Sequence, residues 1–237
     1  LQALINFSIP LTVGTGGNQS INPPPQPASR TVVPFFLCPS DREAGNTNYV
    51  DNGVWAPTNY MFNAGTGEDT PTGVRQYQLQ NPNDGLVWYT SSTRLADILD
   101  GTTQTLLTGE AALGDMLTST SPPVGPKIKK TLISVGGTNL VSDVLCASYT
   151  AFAGRRGRAW IRGTAMNSTF NTHHLPNQKV VDCVSNGMGF VKASSWHAGG
   201  VQVGLCDGSV RFVSDTIHHG TWRALSTRQG GEVLGEY

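Results

Sequence analysis

The sequence predicts an α+β fold rich in β-structure, with an antiparallel sheet, short helices and long loops. Apolar residues at every second position flank Asp207-Gly208, which is the strongest short signal for an antiparallel hairpin. The 28 glycines and 14 prolines among 237 residues indicate many turns. Helical spacing of apolar residues is confined to short stretches, so the helices are predicted to be short.

The first part of the chain is predicted to hold strands separated by loops. Residues 14–29 form a Gly/Pro-rich segment whose Pro23-Pro24-Pro25-Gln26-Pro27 run favours a polyproline conformation and cannot donate to a sheet. We predict an exposed loop here, either a stiff connector or a proline-rich ligand for a partner. Strands are predicted at residues 1–13, 31–37, 58–63 and 86–89.

The middle of the chain carries a helical signal. Leu95, Ile98 and Leu99 have the spacing of one helix face, with Ser or Thr before them and Gly101 after them. This pattern predicts a short amphipathic helix over residues 93–100. Strands are predicted at 105–110, 131–135 and 140–145, and a short helix at 221–225 closes the fold.

The hairpin around Asp207-Gly208 is predicted to have a two-residue turn of type I′, because Gly208 tolerates the positive φ that this turn needs. In that register Leu205 faces Val210 and Val203 faces Phe212. Alternation then predicts one apolar side that faces the core, formed by Val201, Val203, Leu205, Val210 and Phe212. The other side is mixed and holds Gln202, Gly204, Cys206, Ser209 and Arg211.

Charged residues are scarce, at 14% of the chain against a usual ~25%, and the formal net charge is zero. The basic cluster Arg155-Arg156-Gly157-Arg158 is too small for a nucleic-acid interface. No run of about 20 apolar residues occurs, so no segment is predicted to span a membrane. A weakly charged surface suits an extracellular setting or a dense assembly.

His197 and Asp207 are separated by nine residues, and Gly208 follows them. By this pattern the chain resembles the pilin-like bacterial proteins of the DUF1559 family, which carry a prepilin-type H-X9-DG domain and are also catalogued as solute-binding protein family 10. The resemblance spans residues 36 to 233 in the family's order. The further matching segments are Phe36-Leu37-Cys38-Pro39-Ser40-Asp41, Asn59-Tyr60, Asp100-Gly101-Thr102, Leu107-Thr108-Gly109-Glu110, Trp160-Ile161-Arg162-Gly163, Leu175-Pro176-Asn177 and residues 222–233.

The resemblance implies a pilin-like head: one globular domain over residues 1–237, with the H-X9-DG hairpin region at 194–237. In the family an apolar pilin helix precedes this region, and that helix is not present in this chain. The implied function is an exported structural subunit at the cell surface or outside the cell, with copies of itself or filament neighbours as partners and membrane contact only through the missing helix. The motif residues would then be structural, namely Ser194, His197, Asp207, Gly208, Cys38, Trp160, Gly163 and Trp222.

No catalytic residues are predicted. Ser194, Ser195, His197 and Asp207 supply the residue types of a catalytic triad, but the extended chain between His197 and Asp207 separates them by roughly 20–30 Å. A nucleophilic Cys38 would need a base, and the sequence places none beside it.

No metal or cofactor is predicted either. His173 and His174 are adjacent, so they could not both face one site on a strand, and no third ligand follows at a useful spacing. Asn81, Asn83 and Asp84 are rich in oxygen but lack the spacing of a calcium loop.

The four cysteines allow three complete disulfide connectivities, and the sequence does not choose among them. In an exported protein we expect one or two disulfides. Cys146 and Cys183 both lie in the irregular insert before the hairpin and form our preferred pair, which leaves Cys206 as a buried free thiol.

A binding module is the alternative function. Aromatic side chains that are exposed in one groove could stack on a glycan or another solute. The candidates are Trp55, Trp88, Trp160, Trp196 and Trp222. Two solvent-facing tryptophans in one cleft would favour this function, and scattered buried ones would count against it.

Overall fold

The computed structural model describes residues 2–13, 20–21, 26–41, 49–50, 54–69, 77, 79, 81–135, 141–185, 188–232 and 234–235. These residues form short strands joined by long loops, which confirms the β-rich α+β class. The strands are β1 Thr12–Val13, β2 Ser20–Ile21, β3 Tyr49–Val50, β4 Val54–Trp55, β5 Tyr60–Asn63, β6 Leu106–Glu110, β7 Thr118–Ser119, β8 Leu132–Ser134, β9 Phe152–Ala153, β10 Thr169–Phe170, β11 Asp182–Ser185, β12 Met188–Phe190, β13 Gly200–Leu205 and β14 Val210–Ser214. The α-helices are α1 Gln26–Ser29, α2 Asp143–Ala147 and α3 His219–Ala224, and 3₁₀ turns occur at Gln2–Leu4, Pro34–Phe36, Leu95–Asp97 and Gly125–Lys129.

Two five-stranded sheets form the framework. The first has the order β10-β5-β6-β13-β14 and the second has the order β12-β11-β8-β9-β7. Both sheets are mixed, because β10 pairs in parallel with β5 and β11 pairs in parallel with β8, while the other neighbours are antiparallel. Two further antiparallel pairs, β1-β2 and β3-β4, lie outside these sheets.

The two sheets share one hydrophobic core. Val203 and Leu205 of β13 are buried in the same cluster as Leu132 of β8 and Val184 of β11. Trp222 of α3 is fully buried there and stacks on Phe170 with ring centroids 6.3 Å apart. The short helix predicted near residue 221 is thus confirmed, and it closes the core of the first sheet.

Several local predictions are wrong. The segment 31–37, predicted as a strand, contains the 3₁₀ turn Pro34–Phe36 and no strand residue, since proline cannot donate to a sheet. The segment 86–89 is not a strand. In the predicted helix 93–100 only Leu95–Asp97 is helical, because the backbone N–H groups of Leu99 and Asp100 donate to the carbonyl of Arg228 rather than to their own turn.

Two other segments also differ from the sequence prediction. In place of the strand predicted at 140–145, α2 begins at Asp143, and the Ser142 hydroxyl caps it by accepting from the Leu145 N–H. Within the predicted loop 14–29, Ser20–Ile21 pairs with β1 and Gln26–Ser29 forms α1. The rest of that loop, including Pro23 to Pro25, lies outside the described residues.

The hairpin forms where the sequence predicts it, but its turn contains three residues. The Gly208 N–H donates to the Leu205 carbonyl, and the Leu205 N–H donates to the Ser209 carbonyl. Gly208 has a φ of +88°, whereas Asp207 is not among the residues with positive φ. The loop is therefore Cys206-Asp207-Gly208, with Gly208 alone in the left-handed region, and the predicted type I′ turn is wrong.

The extra loop residue shifts the register by one position. Val201 pairs with Val213 and Val203 pairs with Arg211. Because side chains alternate along a strand, the shift turns β14 over: Val213 is buried, while Val210 and Phe212 are 69% and 48% exposed. The prediction that Val210 and Phe212 face the core is therefore wrong.

Among the described residues, no helix is long and apolar enough to cross a bilayer.

Candidate functional site

Residues from the matching segments 36–41, 59–60 and 107–110 and from the stretch 194–197 meet at one buried polar cluster. We call it the signature junction and define it as Cys38, Asp41, Asn59, Glu110, Ser194 and His197. All of these residues except His197 line a pocket of only about 10 Å³, which also touches Ala111, Ala112, Ser195 and Trp196. The segments are far apart in the sequence, so the fold alone brings them together.

Glu110, at the end of β6, joins two strands and the signature histidine. Its side chain is buried, one oxygen accepts from the backbone N–H of Gln202 at 2.7 Å, and the other accepts from His197 Nε2 at 3.1 Å. The Glu110 carbonyl also accepts from the Ser194 N–H at 2.8 Å. Glu110 therefore ties β13, the Ser194 segment and His197 to the end of β6.

Asp41 and Asn59 hold the loop after the Pro34–Phe36 turn against the sheet. Asp41 Oδ2 accepts from Asn59 Nδ2 at 2.7 Å and from the Leu113 N–H at 2.8 Å. Asn59 Oδ1 accepts from the Cys38 N–H at 2.9 Å, and Asn59 Nδ2 also donates to the Ala111 carbonyl. All four contacts are buried, where an unpaired polar group would cost about 1–3 kcal/mol.

The Cys38 thiol lies beside His197, with Sγ 3.7 Å from Nε2. The fold thus brings a histidine to Cys38 that the sequence does not place beside it, but Nε2 carries the proton that it donates to Glu110 and does not act as a base for the thiol. Burial raises the pKa of the thiol, the negative charges of Glu110 and Asp41 raise it too, and these effects outweigh hydrogen bonds from Ser40 that lower it. A nucleophilic cysteine needs a lowered pKa, so the Cys38 environment favours the neutral thiol.

Asp207 and Gly208 do not join His197. They lie in the turn beyond β13, whereas His197 precedes that strand. Asp207 Oδ1 accepts from the N–H and the hydroxyl of Ser209 at 2.9 and 2.7 Å, so the carboxylate stabilises its own turn.

The remaining motif residues lie elsewhere. Trp160 Nε1 donates to the Thr31 carbonyl at 3.0 Å, and its ring lies 5.7 Å from that of Phe36. Gly163 is exposed. Trp222 Nε1 donates to the His174 carbonyl at 3.1 Å.

A family model described as "Protein of unknown function (DUF1559)" matches residues 1–220. The chain belongs to the DUF1559 family. No curated protein and no solved structure matches it. In this DUF1559 chain, the matched segments thus supply internal hydrogen bonds of the fold.

Asn177, which the sequence places in a matching segment without a role, ties the signature segment to the hairpin. It has a φ of 53°, its Oδ1 accepts from the Ser195 N–H, and its Nδ2 donates to the Gly200 carbonyl and to Asp215. The residue type could have indicated a left-handed backbone at this position, because asparagine tolerates that region better than most residues.

Sequence reasoning also missed a buried charge cluster in the second sheet of the DUF1559 fold. Asp182 forms ion pairs with Arg156 and with Lys192, whose Nζ lies 2.8 Å from Asp182 Oδ1. All three side chains are at most 1% exposed, and burial lowers the pKa of Lys192 well below its usual value. Arg156 belongs to the run that reads as a basic surface cluster, and no sequence signal distinguishes it from its neighbours.

The cysteines divide into one disulfide and two free thiols. Cys146 of α2 is bonded to Cys183 of β11. Cys206 is free, as expected, but it is partly exposed rather than buried. Burial raises the pKa of the Cys206 thiol to about 11, and the negative charge of Asp207 adds to the shift.

A second polar cluster lies beside this disulfide, in a cavity of about 530 Å³ lined by Asp143, His173, His174, His219 and Arg223, among others. Burial, and to a smaller degree the charge of its neighbour His173, lower the pKa of His174 to about 4. Burial raises the pKa of Glu68, but the hydrogen bond and charge of His173 and the charge of Arg223 bring it below its usual value.

Proposed function

We propose that this DUF1559 chain is an exported structural subunit, displayed at the cell surface or outside the cell in a filament or surface assembly, without catalytic activity. The observation that carries the proposal is the use of the signature residues. Glu110, Asp41 and Asn59 are committed to buried hydrogen bonds, and the pocket among them is too small for a substrate. The motif therefore stabilises a fold, as a structural subunit requires.

Two further features support assembly and export. β14 is the edge strand of the first sheet in the described part of the chain, and it exposes Val210 and Phe212. Such an edge can pair with another chain, and a formal net charge of zero opposes self-association only weakly. The Cys146–Cys183 disulfide suits an oxidising compartment.

The test is cryo-electron microscopy of cell-surface material from cells that produce the wild-type chain, the Phe212→Ser variant, or Val144→Ser as a control. Val144 is an apolar residue of α2 that is 84% exposed, so its replacement changes exposed apolar area away from β14. We expect a repeating array with the wild type and the control, and a loss of the array with Phe212→Ser. Isolated wild-type monomers at the cell surface would contradict the proposal.

One observation favours the binding module as a second candidate. Trp88 and Trp160 line one cleft of about 230 Å³, together with Phe62 and Tyr89. Both tryptophans are partly exposed, although Arg228 lies 5.0 Å from the Trp88 ring and Phe36 packs against Trp160. The other candidates do not join them, since Trp55 and Trp222 are buried and Trp196 lines the signature junction.

Binding of the purified protein to immobilised oligosaccharides, measured on a glycan array, separates the two functions. The binding module predicts a signal that Trp88→Ala abolishes and that Val144→Ser leaves intact. The structural subunit predicts an array on cells and no such signal.

A further inference from the structure

Two histidines and one carboxylate converge in the cavity beside the disulfide. His173 Nε2 lies 3.3 and 3.2 Å from the two carboxylate oxygens of Asp143, and His174 Nε2 lies 3.8 Å from Asp143 Oδ1. One ligand atom from each of the three residues lies within 4.8 Å of the other two. The imidazoles are 13% and 11% exposed, while the carboxylate is 65% exposed.

Adjacent histidines share this site because they lie in a loop rather than in a strand. Their rings are 4.6 Å apart at 65° to each other, and that of His173 stacks on Phe190 at 3.7 Å. The backbone is held from α3, where His219 Nε2 donates to the His173 carbonyl and Trp222 Nε1 donates to that of His174. The third group, Asp143, comes from α2, which the Cys146–Cys183 disulfide anchors to β11.

Glu68 fixes the orientation of His173. His173 Nδ1 lies 2.5 Å from Glu68 Oε1, so Nδ1–H donates to this carboxylate, which also accepts from Arg223. Nε2 then faces the Asp143 carboxylate at 3.2 and 3.3 Å, a separation that either a proton on Nε2 or a metal ion between the two groups satisfies. A carboxylate on the far nitrogen is the usual partner of a metal-binding histidine.

The spacing of His173 and Asp143 matches a transition-metal site, and His174 Nε2 lies slightly farther from Asp143, at 3.8 Å. Bonds of about 2.0–2.1 Å around a tetrahedral ion place its ligand atoms roughly 3.3 Å apart, close to the distances between His173 and Asp143. Imidazole ligands suit zinc, copper and nickel, whereas calcium and magnesium prefer oxygen ligands. Three protein ligands beside a cavity leave a position open to water or another ligand.

We propose that His173, His174 and Asp143 bind a divalent transition-metal ion of the zinc class, with Glu68 positioning His173. The sequence predicts no metal here, because it treats the two histidines as residues of one strand and contains no nearby third ligand. In the structure the two histidines lie in a loop rather than in a strand, and α2 supplies Asp143 as the third ligand. The site is separate from the signature junction and does not depend on the assembly function.

The test is isothermal titration of the purified, disulfide-bonded protein with ZnCl2. We expect one zinc ion per chain for the wild type, at least about tenfold weaker binding for Asp143→Asn, and about 10–100-fold weaker binding for Glu68→Gln. His218→Gln replaces an exposed histidine outside the cluster and should bind like the wild type.

Asp143 is exposed, so its substitution leaves the core intact, and circular dichroism verifies the fold of each variant. A cobalt absorption spectrum gives a second readout, since the bands of a tetrahedral site should be present in the wild type and absent from Asp143→Asn. Absence of zinc binding by the wild type at millimolar metal would overturn the proposal and assign the His173–Asp143 contact to a proton. Equal binding by Asp143→Asn, Glu68→Gln and the wild type would also overturn it.

Discussion

At the scale of single residues, burial decides the charge state of the reactive groups. Cys38 and Cys206 are the free thiols among the described residues, and burial raises the pKa of both. The shift keeps these thiols protonated, although Cys38 lies next to a histidine. Asp182 shows the opposite case, in which a buried carboxylate is held between Arg156 and Lys192. Removing one partner of such a cluster leaves a buried charge uncompensated.

Cys206 allows this effect to be measured. In a Cys38→Ser variant, where Cys206 is the remaining free thiol, we expect the rate of alkylation by iodoacetamide to rise with pH to a midpoint near the Cys206 pKa of about 11. The midpoint lies above the ordinary cysteine value because burial and the charge of Asp207 disfavour the thiolate, so a higher pH is needed to remove the proton. Asp207→Asn should lower the midpoint. A midpoint near the ordinary cysteine value of ~8.5 would contradict the expected environment.

At the scale of elements, the hairpin shows how one loop residue decides what is buried. β13 keeps its predicted core face, because Val201, Val203 and Leu205 are all buried. β14 has the reverse face, since the three-residue loop moves every one of its residues by one position relative to β13. The exposed apolar residues of β14, on which the proposed assembly rests, are a consequence of this shift.

The register predicts an order of stability effects that the two-residue turn would reverse. Val213→Ala removes fully buried methyl groups and should lower the free energy of unfolding by about 2 kcal/mol. Val210→Ala on the outer face, where the side chain is 69% exposed, should cost less than about 1 kcal/mol. Urea denaturation of both variants measures the difference. A larger loss for Val210→Ala than for Val213→Ala would contradict the three-residue loop.

At the scale of the whole molecule, the two sheets depend on contacts between distant parts of the chain. Their shared core joins β13 to β8 and β11, and the Cys146–Cys183 bond fixes α2 to the second sheet across 37 residues of sequence. The same bond positions Asp143 over the two histidines. Stability of this region and metal affinity should therefore both depend on the disulfide.

Reduction of the disulfide should lower the free energy of unfolding by about 2–4 kcal/mol, because the bond restricts the unfolded chain. For a protein of this size that corresponds to a fall in Tm of roughly 4–16 °C. Thermal unfolding followed by circular dichroism, with and without dithiothreitol, measures it. The control is a variant with Cys146→Ser and Cys183→Ser, whose Tm dithiothreitol should not change. An equal Tm for the reduced and oxidised wild type would contradict the prediction.

The strand positions, the fold class and the family can be predicted from the sequence, because they depend on residues that are close together in the chain. Alternating apolar residues located β5, β6, β8 and the hairpin, and the glycine and proline content predicted the loop-rich β class. The family followed from the spacing of His197 and Asp207 together with the ordered segments. Each of these signals is present in the order of residues along the chain and does not require knowledge of which distant segments are in contact.

The register of β14 and the two polar clusters depend on the tertiary structure. The register of β14 depends on which backbone groups close the turn, and a sequence of Asp and Gly permits more than one choice. Glu110 meets His197, and Asp143 meets His173 and His174, across separations of 87 and 30 residues. Such contacts follow from the packing of the two sheets. A pattern within one segment carries no information about which distant side chain will face it.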